Sequence, residues 1–161
     1  MELKTLLQDI LPNIYIIEEI CKIPKNSYNK ARAQYLSPLF MLDIRNYAEK
    51  KDFNLILGIT AVDLFVPELN FVFGQAEFGI NARAAIISTY RLYPEFYRQP
   101  KNETLFFKRV LKEALHEIGH TLGLDHCTTD CIMFFSNSIM DTDMKPASFC
   151  TNCREKILKK V

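Results

Sequence analysis

All three histidines of this chain, His116, His120 and His126, fall within eleven residues, in the pattern H-E-x-x-H-x-x-G-x-x-H. Side chains four residues apart on a helix share one face, with Cβ atoms about 5–6 Å apart, so His116 and His120 could grip one ion. A catalytic zinc typically takes three protein ligands and leaves a position for water. Gly123 could end the helix in a backbone turn that other side chains disfavour, letting His126 return to the ion as third ligand. A continued helix would carry His126 to a different face. Glu117 would then lie beside the metal-bound water, where a carboxylate can take a proton and pass it to a leaving amine, while the ion polarises the scissile carbonyl. A lone histidine on a helix is more often a satisfied core or surface residue. Three of three in this spacing point instead to a metal centre.

A second cluster follows at once. Cys127, Cys131, Cys150 and Cys153 form two close pairs separated by eighteen residues, the arrangement of a closed, tetrahedral structural zinc site that has no place for water. The competing readings are two disulfides or unpaired buried thiols. Cys21 stands far off and reads as a plain thiol. Because Cys127 directly follows His126, the structural site could hold the third ligand in place. Two zinc ions are therefore expected, one catalytic and one structural. Met133 and Met140 are both candidates for a soft side chain packed beneath the imidazoles, with Met133 slightly favoured.

The elements that must position these residues follow from periodicity. Phe106, Val110, Ala114, Ile118 and Leu122 are spaced for one buried face and predict a helix from about Glu103 to Leu122. Pro38 to Lys50 has helical spacing, with Pro38 in the first turn. Apolar runs at Ile14–Ile17, Phe53–Thr60, Phe71–Phe73 and Ala84–Ser88 predict at least four strands, and Leu3–Ile10 a short helix. Lys22–Ser37, Asp63–Asn70 and Tyr90–Asn102 read as loops. Gly74 and Gly79 bracket a hairpin or irregular edge, and the cysteine-bearing stretch from Pro146 reads as a short tail.

At 161 residues the chain suits a single domain over 1–161. Its composition, 48% hydrophobic and 24% charged, is globular. The net charge of +1, without basic runs, excludes the footprint of a nucleic-acid or anionic-membrane binder. Residues 1–20 carry Glu2, Asp9, Glu18 and Glu19 in place of a basic start and a sustained apolar stretch, which argues against a secretory signal. A cytoplasmic monomer acting on a peptide or protein substrate is expected, and reduced, metal-binding cysteines suit that compartment.

The histidine pattern, the adjoining Cys127, Cys131-Ile-Met133 and Cys150-Thr-Asn-Cys153 resemble the archaemetzincins, a branch of the metzincin zinc peptidases; residues 62–76 look similar too. The intervals Cys127 to Cys131 and Met133 to Cys150 are each a residue shorter than the family pattern, which bears on the loop path. The resemblance implies an α+β, metzincin-like zincin fold, with a mixed twisted sheet above an active-site helix. It implies catalytic zinc on His116, His120 and His126 with Glu117 as general base, a four-cysteine zinc on Cys127, Cys131, Cys150 and Cys153, and Met133 at the Met-turn. It further implies an edge strand that pairs with substrate backbone, for which Phe73–Ile80 is the candidate. The expected activity is zinc-dependent peptide hydrolysis. A catalytically inactive, zinc-stabilised peptide-binding module is the alternative, and an amidase on a non-peptide substrate a third; Glu117 favours the first, since a binding module needs no base beside its metal.

Overall fold

The computed structural model describes residues 15 and 19–159. The expected helix at Leu3–Ile10 and, Tyr15 apart, the expected strand at Ile14–Ile17 lie outside them. The elements run β1 (Tyr28–Asn29), β2 (Gln34–Leu36), α1 (Ser37–Lys51), β3 (Ile56–Thr60), β4 (Leu64–Phe65), β5 (Gly74–Ala76), β6 (Ala84–Ser88), a 3-10 turn (Pro94–Tyr97), α2 (Glu103–Thr121), α3 (Ile139–Met144) and α4 (Thr151–Leu158). Among the described residues no helix is long and apolar enough to cross a membrane.

The architecture is α+β, with two mixed three-stranded sheets where one was expected. In the first, β2 pairs antiparallel with β1 and parallel with β4. In the second, β6 is central, parallel to β3 and antiparallel to β5. All five residues of β6 are buried; its run Ala-Ala-Ile-Ile is apolar because helices cover both faces, as in other parallel strands, and the closing Ser88 donates its hydroxyl to Val62 O at 2.7 Å. Ala84 and Ile86 meet Phe40, Met41 and Ile44 of α1, so strand alternation turns Ala85 and Ile87 toward α2. Leu55, just before β3, and Leu57 within it share that second face with Leu115 and Ile118 of α2.

The structure departs from the periodicity reading where elements are short. Within the expected loop 22–37, β1 and β2 form a hairpin closed by a Tyr28–Tyr35 ring contact, centroids 4.9 Å apart. Strands of two or three residues offer no period to read. The expected strand at Phe71–Phe73 reduces to one bridge, Val72 to Leu64, because Phe73 is buried with Leu92 and Ile139 while the ladder begins at Gly74. The tail from Pro146 holds one helix, α4, and α3, just before it, starts with a capping box in which Asp141 Oδ2 accepts from Ser138 N at 2.9 Å.

Helix α2 begins at Asn102, whose Oδ1 accepts from Leu105 N at 2.9 Å. Its second half is buried almost all round, the sheet on one side and residues 131–157 on the other. Arg109, only 1% exposed, clamps α3 to α2: its guanidinium donates to both carboxylate oxygens of Asp143 at 2.7 Å and to Leu92 O at 3.1 Å. Lys112 Nζ donates to the carbonyls of Thr142 (3.0 Å) and Asp143 (2.7 Å) at the end of α3. Removing the carboxylate strands a buried cation, so Asp143→Ala should lower stability by on the order of 3 kcal/mol, whereas Arg109→Met with Asp143→Leu should recover much of the loss. Urea unfolding midpoints of the variants check this.

Candidate metal centre

Helix α2 ends in a two-bond turn that reverses the chain. Gly123 sits at φ +84°, a conformation open to glycine. Its N–H donates to His120 O at 2.8 Å, and Leu124 N donates to Gly119 O at 2.9 Å, the pairing of a Schellman motif. The reversal returns His126 to the helix end, and one ligand-type atom from each of His116, His120 and His126 lies within 4.8 Å of the others.

Backbone carbonyls orient two of the rings. His116 Nδ1 is 2.9 Å from Ile132 O, and His120 Nδ1 is 2.8 Å from Leu124 O. A carbonyl can only accept, so each Nδ1 carries the proton and each Nε2 presents its lone pair. Those two Nε2 atoms stand 3.1 Å apart, close to the roughly 3.3 Å that two nitrogens on a tetrahedral zinc would keep at about 2.0 Å each. Two lone pairs facing each other without a proton between them repel, and a cation resolves the repulsion. Burial, then the positive charge of Lys145, push His116 down to about 3, and burial also lowers His120 and His126; all three are neutral at physiological pH, as ligation requires. His126, the exposed member, is flanked edge-on by Phe135, centroids 4.9 Å apart.

Glu117 points to the sheet. A Cβ on Gly74 would lie 2.7 Å from Glu117 Oε1 and 2.8 Å from its Cδ, so glycine at the start of β5 makes the space the carboxylate occupies. Burial, then the neighbouring Glu113, raise the Glu117 carboxyl well above its usual range, and Lys145 opposes them. Lys145 Nζ forms a buried ion pair with Glu113 Oε1 at 3.0 Å, which also accepts from Thr142 Oγ1 at 3.0 Å.

Beneath the helix, Met133 is fully buried while Met140 is 68% exposed. A Cβ on Gly119 would collide with Met133 Sδ and lie 3.0 Å from Phe149 Cε1, so the glycine of His-Glu-Ile-Gly-His lets the sulfur pack against the helix between the two histidines. The sequence left the choice between these methionines open; depth decides for Met133 as the packed one.

The four thiols Cys127, Cys131, Cys150 and Cys153 also come together, with their sulfurs within 4.8 Å of one another and Cys127 Sγ to Cys150 Sγ at 3.9 Å. Sulfurs on a tetrahedral zinc at about 2.3 Å would stand roughly 3.8 Å apart. None of the cysteines is in a disulfide. Cys131 Sγ accepts from Cys150 N at 3.3 Å. Hydrogen bonding, led by the Cys153 backbone, lowers Cys150 to about 6, whereas burial pushes Cys153 up. Cys21 is exposed and apart.

Four contributors escaped the sequence reading. In the sequence Gly74 marks a hairpin or irregular edge and a candidate substrate-pairing strand, with nothing to link it to Glu117. Glu113 and Lys145 are thirty-two positions apart, and no local pattern pairs them; Glu113 did carry a signal, an acid one turn before Glu117 on a buried helix face. The carbonyl of Ile132 leaves no trace in residue type.

Comparisons with known proteins agree with this geometry. The model of "Peptidase family M54" matches residues 6–159. An archaemetzincin of Pyrococcus abyssi is 46% identical over 138 residues, covering 84% of this chain and 71% of its own. Another, of Methanocaldococcus jannaschii, is 44% identical over 150 residues, covering 92% and 76%. The crystal structure of an archaemetzincin from Methanopyrus kandleri superposes with a TM-score of 0.87 at 35% identity, covering 99% of this chain and 83% of that one.

The contact of Gly119 with Met133 can be measured. Gly119→Ala should destabilise by about 1–3 kcal/mol through overpacking, and in combination with Met133→Ala the loss should be smaller than the sum of the single losses. Thermal unfolding of the four proteins in the cycle reads the coupling.

Proposed function

Because this chain belongs to peptidase family M54, together with the archaemetzincins, and is a zinc metallopeptidase, we propose that it hydrolyses peptide bonds with His116, His120 and His126 as zinc ligands and Glu117 as general base and acid. The observation that carries the reading is the convergence of three neutral imidazoles beside one buried carboxylate. When bound, zinc supplies a Lewis acid that polarises a carbonyl and makes a water acidic enough to lose a proton near neutral pH. The Glu117 carboxylate would accept a proton from the attacking water and return it to the departing amine nitrogen. Lys145, paired with Glu113, supplies the positive charge that favours the ionised, proton-accepting form of Glu117.

A second ion, held by Cys127, Cys131, Cys150 and Cys153, staples the C-terminal segment, and Met133 is the Met-turn residue. The mutual distances of the four sulfurs and the burial of Met133 against Gly119 support these roles.

Peptide as substrate fits the edge strand. Among the described residues β5 pairs with β6 on one side only. Ser88 N donates to Phe73 O and Glu77 N to Ala84 O, so alternation turns the backbone groups of Gly74 and Ala76 to the open edge. An extended peptide added there would pair with main chain at the residue that abuts Glu117. We place this activity in a cytoplasmic monomer of one domain, a setting in which the four thiols stay reduced.

Glu117→Gln should retain both zinc ions and lose peptide hydrolysis by about 10²–10⁴-fold; mass spectrometry of a mixed peptide library with metal analysis measures it, and a zinc-loaded variant cleaving at the wild-type rate would remove Glu117 from the mechanism. Gly74→Ala, which crowds the carboxylate, should lower kcat while zinc content is unchanged, as read from the same assay.

A further inference from the structure

Three consecutive residues, Cys131, Ile132 and Met133, all fully buried, address both clusters in turn. Cys131 supplies a sulfur to the tetrad and accepts from Cys150 N at 3.3 Å. The Ile132 carbonyl accepts from His116 Nδ1 at 2.9 Å, while its N–H donates to Ser148 O at 2.8 Å, two residues before Cys150. Met133 packs its sulfur against Gly119, and its carbonyl accepts from Cys127 N at 2.9 Å, the residue next to His126. The strip therefore reaches two of the three imidazoles. His116 is oriented by a carbonyl whose position depends on a neighbouring thiolate, and His126 is held through Cys127.

The adjacency of His126 and Cys127 in sequence suggested a link through the third ligand alone. The structure adds a longer route, through His116, the most buried of the three rings. Partners that orient a ligating imidazole are worth about 10–100-fold in metal affinity. Without an ion the four sulfurs have no common bonding partner to keep them at these distances, so Cys131 and the Ile132 carbonyl lose the constraint that fixes their position.

We propose that the four-cysteine site is the positioning device of the histidine centre, and that metal occupancy is ordered: the tetrad fills first, and the histidines bind zinc tightly only once it is closed. This rests on reading both clusters as metal sites. Ile132 acts through its backbone carbonyl as a positioning residue. Linkage is reciprocal, so an occupied histidine centre tightens the tetrad by the same factor.

The test uses the full chain, with far-UV circular dichroism as a check on folding and a chromophoric chelator competing for zinc. Cys150→Ser should lose the tetrad ion and bind zinc at the histidine centre about 10–100-fold more weakly than wild type. Cys150→His, which leaves a three-cysteine, one-histidine zinc site, should restore that affinity. A Cys150→Ser protein that lacks the tetrad ion yet binds the second ion with wild-type affinity overturns the proposal. Should Cys150→Ser fail to fold, cobalt(II) titration of metal-free wild type decides: the thiolate charge-transfer absorption should saturate with the first equivalent, and an initial equivalent that produces none overturns the ordering. A wild type that binds fewer than two ions in either experiment contradicts the metal-site reading itself, a separate failure.

Discussion

The centre depends on the reversal of chain direction at the end of α2. While the helix lasts, His116 and His120 are the only two imidazoles it can bring to one face. The third comes from beyond Gly123, and its approach requires the left-handed glycine and the two hydrogen bonds onto Gly119 and His120 carbonyls. The same turn delivers the Leu124 carbonyl to His120 Nδ1. One local backbone event therefore ends the helix, orients the second ring and sends the chain toward His126.

Burial gives this arrangement its chemistry. The last turns of α2 lie between the β3-β6-β5 sheet and residues 131–157, so the imidazoles are held neutral and the carboxyl of Glu117 lies where its charged form is poorly solvated. In the same enclosed layer Glu113 adds to that cost for Glu117 while its ion-pair partner Lys145 opposes it, and the charge of Lys145 also helps keep His116 unprotonated. Glycine serves twice as an absence: at 74 it makes room for a carboxylate, and at 119 for a sulfur.

The fold outside the site is organised to support these close approaches. Parallel pairing of β3 with β6 gives a core strand enclosed on both faces, and β5 is left as an edge beside Glu117. The Arg109–Asp143 clamp ties α3, and with it Lys145, to the helix that carries His116 and His120. The backbone strip 131–133 does the same for the cysteine-bearing segment.

How much of this could be read beforehand follows the range of the interactions. That three histidines and four cysteines could gather in two groups, that one helix carries two of the histidines and that a glycine ends it all rest on residue type and on spacing, and these were legible in the chain. So were β3 and β6, as apolar runs of strand length, and α1, whose helical spacing is long enough to read. The two-residue strands, α3 and α4 were not, since they take their form from capping and from contacts made after the chain has folded. Nor could spacing reveal that Gly74 adjoins Glu117, forty-three positions away, or that Lys145 meets Glu113. The full burial of Met133 against the exposure of Met140 and the carbonyl that aims His116 likewise belong to three dimensions, because a backbone acceptor has no residue type and depth of burial belongs to the packed molecule alone.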